Sequence, residues 1–245
     1  MRASTIPDPA VAAAFEAEAD NEVAAGKAYW IEIRQALQSA VLTPRFPVDE
    51  GIRVRKGRRG RKVRSIDDFL ASFINAAASP GEAIQYNTID TLVALMQQIP
   101  QGTGIRFRKD DFVGAFKTLP LQEQELFLAV AVFLGKHKKL EALQLLCCPF
   151  GAVGSVHAWH RFGAAVQLVL AELFYIPYAR YVDDLFLADP LQDEVQGVVG
   201  PGATATLARW VIEELLGWEL DSAEGKRFTN VQEFTALGVQ VPLSV

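Results

Sequence analysis

The stretch YARYVDDLFLAD, residues 178 to 189, constrains the fold more than any other part of the chain. An aromatic-rich run and a second apolar run flank the adjacent aspartates Asp183 and Asp184, which reads as two strands of a hairpin with carboxylates at the tip. The pair has an ordinary explanation, because Asp bonds its own backbone and tolerates the dihedrals of a turn. It also has a chemical one: carboxylates side by side make a hard, oxygen-rich site suited to Mg2+ or Mn2+. The two readings part on whether another segment supplies a further acid.

The segment KDDFVGAFKTLPL supplies one. Neighbours on a strand point to opposite faces, so only one of Asp110 and Asp111 can share a side with Asp183, and the apolar alternation does not choose between them. An acidic strand beside an acidic hairpin tip would complete a site in which two metal ions about 4 Å apart clamp the attacking and leaving oxygens of a phosphoryl transfer.

The charge distribution points the same way. Net charge is −5 over 245 residues, yet RVRKGRRGRKVR, residues 53 to 64, holds eight of the 24 basic residues and no acid. Gly57 and Gly60 lie among runs containing Ile52, Val54 and Val63, which predicts a strand-turn-strand hairpin presenting Arg53, Arg55, Lys56, Arg58, Arg59, Arg61, Lys62 and Arg64 to a polyanion. A solvated loop or a basic targeting address is the plain alternative. The two cysteines, Cys147 and Cys148, are adjacent and imply no disulfide framework, which suits a reducing, intracellular setting. Adjacent cysteines with His157 and His160 fit no common zinc spacing. The apolar runs are too short to cross a bilayer, and the N-terminus lacks a signal peptide's apolar core.

The remaining pattern alternates. Residues 10 to 42 are Ala- and Glu-rich and predict helix. SIDDFLASFINAAAS and AIQYNTIDTLVALMQQI predict two more helices; GIRFRKDDFVGAF, LFLAVAVFLG and EALQLLCC predict strands. A long helix is expected from about Ser155 to Phe174 with Val156, Trp159, Gly163, Val166, Leu170 and Leu173 on one face, then the hairpin, a helix near 204 to 216, and short closing strands. The fold class is α+β.

The motifs, in order, resemble the fingers and palm of a reverse transcriptase from about Ile52 onward. DFVGAFKTLPL looks like the first palm motif, CCPFGAVGSVHAWHRF is similar to the Pro-Phe-Gly motif and following helix of retroelement enzymes, and YVDD resembles the Tyr-x-Asp-Asp hairpin. KVRSIDDFLASFIN resembles the fingers segment ahead of the palm, and WELDSAEGKRF with TALGVQV the segments that close it. The resemblance implies a right-hand polymerase palm, an antiparallel sheet backed by helices, with a partial fingers subdomain and a thumb largely absent. Residues 1–50 would be a helical extension, 51–105 fingers-like and 106–245 palm.

Roles follow by resemblance, one residue at a time. The motif register selects Asp111 over Asp110. Asp111 and Asp183 would hold two Mg2+ or Mn2+ ions, with Asp184 the third acid and Lys226 the acid that protonates the leaving pyrophosphate. Arg64 and one of Lys56 or Arg58 would bind the triphosphate of the incoming deoxynucleotide. Phe150 and Gly151 would contact the templating pair or that nucleotide, Phe116 would lie beneath its sugar and exclude a ribose 2′-hydroxyl, and Tyr181 would lie under the primer end. The implied activity is RNA-directed DNA polymerisation by a retrotransposon-type element, on an RNA or DNA template with primer. The alternatives are an RNA-dependent RNA polymerase and a catalytically silent remnant that only binds nucleic acid.

Overall fold

The run AVAVFL is too continuous for a half-buried strand, and its two faces are buried by different helices. The computed structural model describes residues 8–55, 58–98, 105–135, 138–176, 178–190, 203–221, 228–231, 233–236 and 239–242. In chain order the elements are α1 (Pro9–Ala24), β1 (Ala28–Ile31), α2 (Ile33–Ser39), β2 (Leu42–Arg55), β3 (Arg58–Asp67), α3 (Ile74–Ala77), α4 (Ile89–Gln97), β4 (Ile105–Asp111), β5 (Val130–Leu134) and β6 (Leu140–Leu145). There follow α5 (Val153–Phe174), β7 (Tyr178–Tyr181), β8 (Asp184–Pro190), α6 (Ala203–Trp210), β9 (Phe228–Val231), β10 (Glu233–Ala236) and β11 (Val239–Pro242). The chain divides into two units, Met1–Glu82 with Phe116–Trp159, and Ala83–Ala115 with His160–Val245.

The first unit holds a mixed five-stranded sheet in the order β1-β6-β5-β2-β3, antiparallel except where β2 meets β5. Alternation along β5 sends Ala131 and Phe133 to a core with Val11, Phe15 and Ala19 of α1, while Val130 and Val132 pack with Ala36 of α2. Phe15 meets Phe133 edge-on at 5.0 Å between centroids. Asp8 caps α1 by accepting from the Ala10 amide at 2.8 Å, ahead of a proline at the first helical position.

The second unit holds an antiparallel sheet in the order β7-β8-β4-β9, with α4 and α6 against it, and a separate β10-β11 hairpin. Leu185 and Leu187 of β8 are fully buried, as are Leu170 of α5 and Ile212. This α+β architecture, an antiparallel sheet with helices on it, is the palm-like arrangement expected.

Three expectations need correction. Residues 10 to 42 are not one helix: Gly26 at φ 68 and Lys27, whose amide returns to Glu22 O at 2.9 Å, stop α1, and AYWI then pairs with β6. The predicted helix from Ser65 gives way because Ser65, Ile66 and Asp67 extend β3 against Pro47, Phe46 and Arg45, leaving only the single turn α3. Long-range pairing there outweighs a local cap signal. On α5, Trp159, Gly163, Val166 and Leu170 are buried as expected, but Val156 is only partly buried and Leu173, at the end of the helix, is exposed.

Candidate active site

The end of β4 separates the two aspartates that alternation alone could not. Arg108 and Asp110 share one face and are both buried, with Arg108 Nε and Nη2 donating to the two Asp110 oxygens at 2.5 and 2.9 Å. That bidentate pair consumes Asp110. Asp111 takes the other face, and the β4–β8 register sets it directly opposite Asp184 rather than Asp183. Asp183 sits in the turn before β8, and ligand oxygens of Asp111, Asp183 and Asp184 all lie within 4.8 Å of one another.

Like charges directly opposite in a sheet repel, so the cluster is a cost to the fold that a cation would relieve. An all-carboxylate donor set suits a hard divalent cation. Lys109 already acts as a cationic stand-in, its ammonium 2.8 Å from Asp184 Oδ1 and 5.8 Å from the Phe186 ring centroid. Lys109→Met is expected to tighten Mn2+ binding about three- to tenfold in low salt, a gain that shrinks as salt rises. Calorimetric titration reads it; weaker binding in the variant would mean that Lys109 holds Asp184 in place for the metal.

The turn is short. Tyr181 pairs with Asp184, and Val182 between them has φ 54. A positive φ at the first loop position but not the second marks a type II′ hairpin, whose usual residue there is Gly. A β-branched residue in that region is strained by roughly 1–3 kcal/mol, so its surroundings must impose it. The outer edge of β7 is held by side chains: the Arg180 amide donates to Asn87 Oδ1 at 2.8 Å, and Gln167 Nε2 donates to Tyr178 O at 2.6 Å. Tyr181 is 41 % exposed, and its ring lies 5.2 Å from that of Tyr86.

The first unit gathers most of the residues assigned to the nucleotide. Phe116 is buried and meets Phe150 edge-on at 5.0 Å and Trp159 at 6.2 Å. The Arg64 guanidinium lies 5.9 Å from the Phe150 centroid, within cation–π range. Gly151 has φ 98, and a Cβ there would strike the Asp67 carbonyl, so both conformation and space demand glycine. Asn75 pins this loop, donating to Gly151 O at 2.8 Å and accepting from the Val153 amide at 2.9 Å. Arg58 opens β3, whereas Lys56 and Lys226 lie outside the described residues.

The basic hairpin forms as expected, but not as a wholly outward polycation. Arg61 pairs with Asp49 and, at 2.9 Å, with Asp8; Lys62 and Arg64 share Glu50 at 2.7 and 2.8 Å. Surface pairs of this kind are worth about 0–1 kcal/mol, so a phosphate can displace the acids at little cost. A buried network lies beneath. Arg45 donates to Asp67 at 2.6 and 3.1 Å and to Glu22 at 2.8 Å, and Glu22 also pairs with Lys117 beside Phe116.

Several residues of these sites escaped the sequence reading. Arg180, Asn87, Gln167, Tyr86 and Asn75 come from four separate stretches of the chain. Only Arg180 left a signal, as the one charged residue in the strand YARY. Its side chain is buried, and burial pushes its pKa down while Tyr86 partly offsets this.

No protein-family model matches the sequence, and no curated protein matches it. Among solved structures, a foamy viral protease-reverse transcriptase dRH in complex with ds DNA superposes with a TM-score of 0.67 at 16% identity, over 99% of this chain. The fold is reverse-transcriptase-like. This chain spans 36% of that protein's length. Among the described residues, no helix is long and apolar enough to cross a membrane.

Proposed function

We propose that this chain performs template-directed nucleotidyl transfer as an RNA-directed DNA polymerase domain of a retroelement. The observation that carries the reading is the convergence of Asp111, Asp183 and Asp184 at one end of an antiparallel palm-like sheet. Asp111 and Asp183 hold the metal ions and Asp184 completes the acid set. A pair of Mg2+ or Mn2+ ions supplies charge neutralisation for the attacking and leaving oxygens of an in-line phosphoryl transfer. Tyr181 presents its exposed ring to the primer end. Arg64, with Lys56 or Arg58, takes the triphosphate of a deoxynucleotide by exchanging its carboxylate partner for phosphate oxygens. Phe150 and Gly151 contact the templating pair or the incoming nucleotide, and Lys226 is the acid for the departing pyrophosphate.

Primer extension tests this. A DNA primer on an RNA template should be extended in Mg2+ or Mn2+ by the native chain and not by the Asp183→Asn, Asp184→Asn double variant. Template binding without extension by either protein would favour a remnant that only binds nucleic acid.

Phe116 decides between deoxynucleotide and ribonucleotide substrates. Its ring is buried against Phe150 and Trp159; in the role that the resemblance implies, beneath the sugar, a ring packed in this way would leave a 2′-hydroxyl neither space nor a partner. Phe116→Val is expected to raise ribonucleotide incorporation relative to deoxynucleotide by at least about tenfold. Competitive incorporation assays read the ratio, and efficient ribonucleotide use by the native chain would favour an RNA-dependent RNA polymerase instead.

A further inference from the structure

Arg180 is a buried charge of the second unit that the chemistry above leaves unused. It is 4 % exposed and, unlike Arg108 with Asp110, has no carboxylate partner among the described residues. A buried guanidinium without a counter-charge is expensive, and an apolar side chain in its place would pack at lower cost. Its Nε is unpaired. Its remaining nitrogens reach two places: Nη2 lies 3.1 Å from His160 Nδ1 and 3.3 Å from His160 O, and Nη1 donates to the Val182 carbonyl at 3.3 Å.

Val182 is the strained residue of the carboxylate turn. The guanidinium reaches it by passing over Gly163 of α5, where a Cβ would stand 2.7 Å from Nη1 and 2.8 Å from Cδ and Cζ. The glycine therefore leaves the channel that the arginine occupies. At its other end the arginine is anchored through the backbone, its amide bonded to Asn87. One residue thus ties strand β7, helix α5 and the left-handed turn together.

We propose that Arg180 is a positioning residue for the acids: threaded past Gly163, it fixes the Val182 carbonyl and so the turn on which the placement of Asp183 and Asp184 depends. Its effect on metal rests on the reading of the three aspartates as a divalent-cation site. Arg180 touches neither substrate nor metal in this role; it acts through the turn.

Two variants remove the same contact by different routes. Arg180→Gln shortens the side chain. Gly163→Ala leaves the arginine's charge but puts a methyl where the guanidinium runs, while alanine favours the helix itself. Each is expected to weaken Mn2+ binding to the full chain roughly tenfold, the scale seen when a residue orienting a metal ligand is lost. Gly163→Ala should also speed amide exchange at Val182, Asp183 and Asp184 more than in the rest of the sheet, a local effect that general loss of stability does not produce. In the double variant the alanine should add nothing to the loss caused by Arg180→Gln, because the group it displaces is gone.

Mn2+ affinities within twofold of native in both single variants, or losses that simply add, would overturn the proposal. A native chain that takes up no Mn2+ would instead defeat the cation-site reading. Arg180 is then judged by amide hydrogen exchange without metal: faster exchange at Val182, Asp183 and Asp184 in Arg180→Gln sustains the positioning role, and unchanged exchange removes it.

Discussion

Asp111→Asn should weaken Mn2+ binding by at least about 100-fold and lower any nucleotidyl transfer on the order of 10³-fold, yet leave the metal-free protein slightly more stable. The opposite signs come from one cause. Asp111 is 2 % exposed and faces Asp184 across the β4–β8 ladder, so without a divalent cation the two carboxylates still repel, and Lys109 beside Asp184 offsets that only in part. Removing one relieves about 0.2–1 kcal/mol of like-charge opposition in the sheet and removes the ligand that needs it. Asp110→Asn provides the contrast. Its carboxylate is bonded to Arg108 on the other face, so that change should destabilise the fold while leaving Mn2+ affinity near native. Denaturant unfolding and calorimetric titration on both variants separate the two residues. Equal metal losses for Asp110→Asn and Asp111→Asn would refute the assignment.

The largest effect on stability is expected at Arg45. Arg45→Met strands Glu22 and Asp67, two carboxylates almost without solvent, beside Lys117 alone, and breaking a buried pair on one side typically costs 3–5 kcal/mol. The loss should reach the loop at Gly151 too, because the carbonyl of Asp67 is what Gly151 packs against. A shift in the urea midpoint measures it, and a change below about 1 kcal/mol would mean that the network contributes little.

The acid sensitivity of this network has a definite sign. Burial by itself would raise the Glu22 carboxyl, but Arg45 and Lys117 outweigh it and hold Glu22 below the usual range. A carboxyl depressed in the folded state contributes stability that is present above its unfolded pKa and lost as pH falls through its folded one. Burial pushes Asp67 up against the pull of Arg45, so its contribution runs the other way and is lost as pH rises. The acid limb therefore belongs to Glu22. Stability should drop on acidification below the ordinary carboxylate range, and Glu22→Gln should flatten that drop.

Local pattern was enough for part of this molecule. The β7–β8 hairpin was legible because two apolar runs flank a two-residue turn, and α5 because its buried residues recur at helical spacing. A period of two is enough to name β5 as a strand, and the structure shows that both of its faces are buried, as a continuous apolar run allows. Asp183, Asp184 and an acid from the strand before Phe112 could be named from motif order alone. Where the prediction failed, a distant partner had overridden a local signal: Ser65 with its two aspartates looks like a helix start, but Pro47, Phe46 and Arg45 were available to pair with it.

What the sequence by itself determined is the set of chemical groups and the elements that carry them, since side-chain period and turn chemistry act over a few residues. Only the tertiary structure decided how those groups are partnered. Arg108 engages Asp110 while strand register sets Asp111 opposite Asp184, Glu50 and Asp49 temper a basic hairpin that composition made look bare, and Arg180 reaches the turn through the gap at Gly163. Each of these depends on strand register or helix packing. A charge acts through the distance to its partners and the water around it, and neither is defined until the chain has folded.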